Sequence, residues 1–216
     1  MSSNLAIFGG NPIRKTQFPV WPRVTDEIKN SIINTLENEN WGVGSDTIDV
    51  FNNKFSQAQD AKYSLALHSG TSAIWVCLKS AGVEAGDEVI VPSYTFIATA
   101  TAVVLANAVP VFADICLETG NIDPASIESL ITKKTKAIIP VHTGGNPVNI
   151  DEILSISKKF DIPIIEDAAQ AHGAEWKGKK VGALGLGGIF SFQTSKNMSS
   201  GEGGAIVSNN KSFMDA

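Results

Sequence analysis

The chain has 216 residues, 43% of them hydrophobic and 18% charged, with a formal net charge of −5. That length and apolar content suit one or two domains with a sizeable core and exclude a solvated, disordered chain. There is no basic stripe for nucleic acid, and the longest apolar runs, such as Ile97 to Ala106, are too short and too rich in Thr and Ala to span a bilayer. Cys77 and Cys116 lie far apart and form no CxxC pair. Two idle thiols fit a reducing compartment. No charged-then-apolar leader opens the chain, and the expected location is the cytoplasm, with no membrane or nucleic-acid partner.

Residues 1–23 hold both arginines, Arg14 and Arg23, and are expected to form an N-terminal arm; residues 24–216 are expected to form one large domain. From Val24 to Glu39 the pattern predicts an amphipathic helix. Thr25 caps it, Asp26 and Glu27 suit its first turn, and Ile28, Ile32, Ile33 and Leu36 make one stripe. Trp41-Gly42-Val43-Gly44 reads as a turn. A second helix is expected from Asp46 to Asp60, with Ile48, Phe51 and Phe55 on one face. Short apolar runs then alternate with helical stretches. Strands are expected at residues 63–67, 88–91, 109–112, 136–141, 162–165, 188–192 and 205–207. Helices are expected at residues 72–81, 97–106, 124–131 and 150–160, with Pro124 after Asp123 a good helix start. This rhythm predicts an α/β fold: a mainly parallel seven-stranded sheet with helices on both faces. The last two runs follow one another without a helix, so a different connection is expected there.

In such sheets ligands bind outside the carboxyl ends of the strands, and the residues that follow the strands here are unusually polar. Ser69-Gly70-Thr71-Ser72 lies between a strand and a helix, where backbone N–H groups and hydroxyls can hold an anion. An ordinary helix cap reads the same way. Phe96 follows the second strand and can stack on a planar ring, although most such residues belong to a core. Asp167 ends an apolar strand, so its carboxylate needs a partner: a protonated ring nitrogen, an ion pair or a helix N–H. Glu166 should face the other way and serve structure. His68, His142 and His172 lack metal-ligand spacing, so no metal is expected; His142 at a strand end is open to either a ligand or a structural role. Lys196, alone among small polar residues, completes a set of anion cradle, aromatic face, carboxylate and amine. Together these ask for an aldehyde-bearing ring with a phosphate, and Lys196 reads as a Schiff-base lysine for pyridoxal phosphate.

The stretches SGTSAI, GDEVIVPSYTFIATATAV, PVFADI, TKAIIPVHTGG, IIEDAAQAHGA and FSFQTSKNMSSGEGGAIVSN come in this order. With FGGNPIRKTQFPVWP before them, the chain resembles the DegT/DnrJ/EryC1/StrS family of pyridoxal-phosphate aminotransferases of sugar and cyclitol biosynthesis. The resemblance implies an aspartate-aminotransferase-like large domain of fold type I and a homodimer with active sites at the interface. It implies that Lys196 is the catalytic lysine and that Asp167 meets the pyridine nitrogen. Gln170 lies near the phenolic oxygen, Phe96 stacks on the ring, and Gly70, Thr71 and Ser191 hold the phosphate. The implied reaction moves an amino group from glutamate or glutamine to a keto sugar, nucleotide-linked in the broad branch. A glutamine-dependent aminotransferase of keto-cyclitols of the scyllo-inosose type is the alternative, and a shortened, non-catalytic cofactor-binding relative is another. Family members carry a further small domain; this sequence ends at Ala216, so a partner-borne asparagine for the phosphate and the small-domain substrate contacts are expected to have no counterpart in it.

Other classes fit less well. Gly173-Ala-Glu-Trp-Lys-Gly-Lys179 imitates a phosphate loop, but Lys180 stands where Ser or Thr should hold magnesium. Gly42-Val43-Gly44 lacks the third glycine of a dinucleotide fingerprint, and Gly-x-Ser-x-Gly is absent. A dehydratase branch of the family has histidine at the position of Lys196.

Overall fold

A computed structural model of the chain describes residues 4–39, 41–42 and 44–216. Val43 in the expected turn and residues 1–3 of the expected arm lie outside the described residues. Two helices, α1 (Asp26–Glu37) and α2 (Asp46–Ala58), precede the alternating region. There β1 (Tyr63–Leu67), β2 (Glu88–Pro92), β3 (Val109–Ala113), β4 (Thr135–Ile138) and β5 (Ile165–Asp167) are separated by α3 (Gly70–Ser80), α4 (Ala98–Leu105), α5 (Pro124–Leu130) and α6 (Ile150–Phe160). A short hairpin, β6 (Glu175–Trp176) and β7 (Lys179–Lys180), follows, then β8 (Gly187–Ser191), β9 (Gly204–Ser208) and α7 (Lys211–Asp215). The helix starts are written in the sequence. Thr25 accepts a hydrogen bond from the Ile28 N–H, and Asp123 accepts one from Ala125 with Pro124 in the first turn, so each side chain satisfies an N–H the helix cannot.

The expectation of one mainly parallel seven-stranded sheet is corrected. The strands form a four-stranded sheet in the order β1-β9-β8-β5 and a three-stranded sheet in the order β3-β2-β4. β9 runs antiparallel to both β1 and β8, so the larger sheet is mixed. No helix intervenes between β8 and β9 to carry the chain back for a parallel pairing. The division between the sheets falls where Pro140 and Pro163 lack N–H groups to donate to a ladder. The Ile138 N–H reaches the Pro163 carbonyl at 3.0 Å and the Asp167 N–H reaches Pro140 at 2.9 Å. Single parallel bridges, Ile138 to Ile164 and Val141 to Asp167, join the two edges. The same prolines shorten β4 and move β5 onto Glu166 and Asp167.

Both sheet faces are covered, as expected. Val89 and Val91 pack with Ala73, Leu78 and Val103 of α3 and α4, whereas Ile90 packs with Ile127, Ile153 and Ile156 of α5 and α6. The alternation is the two-residue period of a strand buried on both sides. Phe55 of α2 meets Phe190 and Phe192 edge-on, with ring centroids 5.1 and 5.2 Å apart, a favourable aromatic geometry. The stripe on α1 forms but has no cover among the described residues: Ile28, Ile32, Ile33 and Leu36 are 45%, 57%, 48% and 57% exposed. The segment that imitates a phosphate loop is the β6–β7 hairpin. Its turn, Lys177 and Gly178, has φ of 50° and 79°, the positive pair a two-residue hairpin demands. Among the described residues no helix is long and apolar enough to cross a membrane.

Candidate active site

A cavity of about 460 Å³ opens beside the carboxyl ends of β2, β5 and β8 and the start of α3. Gly70, Thr71, Phe96, Asp167, Gln170, Ser191 and Lys196, all the residues singled out in the sequence, line it together.

The first wall is the start of α3. Ser69 is extended and its hydroxyl accepts from the Ser72 N–H at 3.1 Å. The earliest N–H groups of the helix, at Gly70 and Thr71, have no carbonyl within the helix to pair with. Gly70 lies against β8 so closely that a Cβ there would sit 3.0 Å from the Cβ of Ser191. Only a residue without a side chain lets the helix start and the Ser191 hydroxyl share one small space.

The opposite wall is β5. Asp167 is 5% exposed. Its Oδ2 accepts from the Thr99 hydroxyl at 2.8 Å and its Oδ1 from the Ala169 N–H at 3.1 Å. Burial pushes its pKa above the ordinary carboxylate value; the bonds from Thr99 and Ala169 and the charge of Lys196 pull the other way. Glu166 points to the far face, as the alternation of a strand requires. There its two oxygens accept from the N–H groups of Gly182, Leu184 and Gly185 at 2.8, 2.7 and 2.8 Å and contact His142 Nε2 at 3.1 Å. His142 Nδ1 accepts from the Val148 N–H, which places the ring proton on Nε2. His142 is therefore a buried structural residue; the ligand role left open for it is not realised.

Gln170 follows β5, and its Oε1 accepts from the Gly144 N–H at 2.7 Å. That bond fixes which end of the amide is oxygen and leaves the NH2 group available. Phe96, 66% exposed, stands at the rim. Lys196 sits in a turn held by the Lys196 N–H to Gln193 carbonyl bond and by Ser195, whose N–H and hydroxyl both donate to Gln193 Oε1. The N-terminal segment reaches this loop: Trp21 Nε1 donates to the Thr194 carbonyl at 3.2 Å. Among the described residues five lysines form ion pairs with carboxylates. Lys196 is not one of them, and it faces the cavity.

Sequence reading missed Thr95, Thr99, Gln193 and Glu202, which also line the cavity with Ser69 of the expected anion site. The signal for the threonines was their spacing of four in TFIATA, which puts two hydroxyls on one side of a helix start. Among the described residues neither ring nitrogen of His172 makes a close hydrogen bond, with Asn197 and the Ser191 backbone nearby. The His172 ring lies 5.2 and 5.5 Å from those of Phe190 and Phe192, and burial holds its pKa below the ordinary value. The lining suits a flat ring with an anionic group at one edge and a protonated nitrogen at another.

Comparison with known proteins agrees with that chemistry. Residues 22–216 match the model of the DegT/DnrJ/EryC1/StrS aminotransferase family. A protein of Streptoalloteichus tenebrarius, assigned as an L-glutamine:3-amino-2,3-dideoxy-scyllo-inosose aminotransferase, is 43% identical over 211 residues, covering 96% of this chain and 51% of its own length. The solved aminotransferase of Psychrobacter cryohalolentis superposes with a TM-score of 0.89 at 39% identity, over 91% of this chain and 50% of that one. A Streptococcus pneumoniae protein, assigned as a sugar aminotransferase and solved in its PLP-form, superposes with a TM-score of 0.86 at 29% identity, over 93% of this chain and 55% of that one. The chain thus spans about half the length of the proteins it matches.

Proposed function

The chain belongs to the DegT/DnrJ/EryC1/StrS aminotransferase family, and from that premise we propose that it forms the cofactor-binding large domain of a pyridoxal-phosphate aminotransferase of fold type I. The observation that carries the reading is the convergence of an unpaired lysine, a buried carboxylate and a helix start on one cavity. The residues present fit the cofactor. The Gly70–Ser191 approach leaves a cradle that any Cβ at residue 70 would crowd, and Asp167 keeps acceptor capacity beyond its bonds to Thr99 and Ala169.

When bound, pyridoxal phosphate supplies an aldehyde for amines and a ring that stores the electron pair left by a departing proton. Gly70 and Thr71 at the positive end of α3, with the Ser191 hydroxyl, bind the phosphate. Phe96 packs against the ring. Gln170 donates its NH2 group to the phenolic oxygen. Asp167 holds the proton on the ring nitrogen, because a nearby negative charge favours that cation. Lys196 Nζ would hold the aldehyde carbon and, as a free amine, would take and return the donor's α-proton.

The net reaction moves an amino group from glutamine to a ketone. Relatives that use keto-cyclitols are 36–43% identical to this chain, above the 29% of the sugar enzyme from Streptococcus pneumoniae. That supports the cyclitol ketone as a substrate class beside the nucleotide-linked keto sugar that the sequence reading put first. A second copy of the chain covers the exposed stripe of α1, making a homodimer, with residues 1–23 as its arm; the enzyme works in the cytoplasm. Adding L-glutamine to the cofactor-loaded protein tests the reaction. The expected result is conversion of the bound cofactor to its amine form with release of the keto acid, lost in Lys196→Ala. A loaded protein that glutamine leaves unchanged overturns the aminotransferase reading and favours a non-catalytic binder.

A further inference from the structure

Asp167 does not stand alone in its wall. Its Oδ2 accepts from Thr99 at 2.8 Å, and Thr99 Oγ lies 2.9 Å from Thr95 Oγ. A threonine hydroxyl has one proton. Thr99 gives its proton to Asp167, so its oxygen must accept from Thr95. The order Thr95 to Thr99 to Asp167 is fixed by this count. Thr99 is 1% exposed and sits in the first turn of α4, packed between the sheet and α3. Thr95 lines the cavity. The Ala169 N–H holds the other carboxylate oxygen. Each oxygen keeps a lone pair, and the two fixed donors leave the carboxylate one orientation.

We propose that Thr99, backed by Thr95, is a positioning residue that keeps Asp167 ionised and aimed at the cavity, so that it can hold a proton on a ligand's ring nitrogen. The proposal rests on the reading that Asp167 meets that nitrogen. The physical need is plain. Burial favours the neutral carboxyl, and the Thr99 bond is the largest influence opposing it. The titratable groups that face Asp167 are His142, whose neutral ring is engaged by Glu166 on the far face, and Lys196 across the cavity. Remove the Thr99 donor and a neutral Asp167 can no longer serve as the negative partner of a protonated ring.

Thr99→Val keeps the shape and deletes the donor, whereas Thr99→Ser keeps the donor. These variants, Asp167→Asn and the Thr99→Val/Asp167→Asn double variant are titrated with pyridoxal phosphate. Affinity and the absorption spectrum of the bound cofactor are followed across pH, and circular dichroism monitors the fold. Thr99→Val should bind roughly tenfold more weakly, the loss expected for a hydrogen bond to a charged group. Its spectrum should move toward that of Asp167→Asn. Thr99→Ser should stay within about threefold of wild type, and the double variant should bind no more weakly than Asp167→Asn. Wild-type affinity and spectrum in Thr99→Val overturn the proposal. So does the same loss on adding Thr99→Val to Asp167→Asn, which would mean that Thr99 acts through packing. Wild-type behaviour of Asp167→Asn itself sinks the parent reading and this one with it. If the valine variant does not fold, Thr99→Ala against Thr99→Ser makes the same comparison.

Discussion

Glu166→Gln should be among the most destabilising single-atom changes available to this chain. The side chain is fully buried. One oxygen accepts from Leu184 and Gly185, the other from Gly182 and His142. His142 cannot switch roles, since its Nδ1 already accepts from Val148. A glutamine has one oxygen and one NH2 group. With the oxygen toward Leu184 and Gly185, the NH2 meets the N–H groups of Gly182 and His142; flipped, it meets the other two. Either way two buried donors lose their acceptor. Each costs about 1–3 kcal/mol, and breaking a buried charged cluster at one partner typically costs about 3–5 kcal/mol. A loss of about 4 kcal/mol is a large share of the roughly 5–15 kcal/mol a domain has. Urea unfolding of the ligand-free chain reads it directly. The midpoint should fall by about 1–2 M at unchanged slope, while Glu128→Gln, in the exposed pair with Lys159, should cost no more than about 1 kcal/mol. A Glu166→Gln midpoint as close to wild type as that of Glu128→Gln would refute the reasoning.

Gly204→Ala should damage the proposed phosphate cradle, because its Cβ would overlap the Ser69 carbonyl and lie 2.7 Å from the Gly70 nitrogen. Overpacking of this kind costs about 1–3 kcal/mol, and the check is a lower melting temperature together with weaker cofactor binding. Asp167→Asn should stabilise the ligand-free chain at neutral pH. The folded pKa of Asp167 is raised by burial, so its contribution to stability is best below the ordinary carboxylate value and is lost as pH rises toward the folded value. Asparagine escapes that loss while still accepting from Ala169 and donating to Thr99. Its thermal advantage over wild type should shrink as pH is lowered toward 4. Cys77, whose thiol pKa is pushed up by complete burial, should resist alkylation until the chain unfolds, while the less buried Cys116 labels in the native state.

The parts of this structure that were legible in the sequence are those decided locally. Thr25 and Asp123 cap where their chemistry says they should, and the apolar run at residues 63–67 is β1 to the residue. That the proposed site residues share one cavity was legible because each ends or follows a strand, and the topology gathers strand ends. What local pattern could not carry was pairing. Nothing in Gly204–Ser208 announces that it runs antiparallel between β1 and β8. The separation of the two sheets depends on two prolines on the facing edges, Pro140 and Pro163, which are distant in sequence. Lys177-Gly178 carried a hairpin signal that the imitation of a phosphate loop obscured. Thr99 stayed hidden because a threonine in an apolar helix looks like filler until the carboxylate beside it is seen. The stripe of Ile28, Ile32, Ile33 and Leu36 was legible as a helix face, but it stays outside the chain's own core.

The most direct test of the account is borohydride reduction of the chain incubated with pyridoxal phosphate, followed by digestion and peptide mapping. The account predicts one pyridoxyl group, on Nζ of Lys196, absent in Lys196→Ala and competed away by excess free phosphate-bearing cofactor analogue. Labelling spread over the exposed lysines, with Lys196 no more reactive than Lys29 or Lys159, would contradict it.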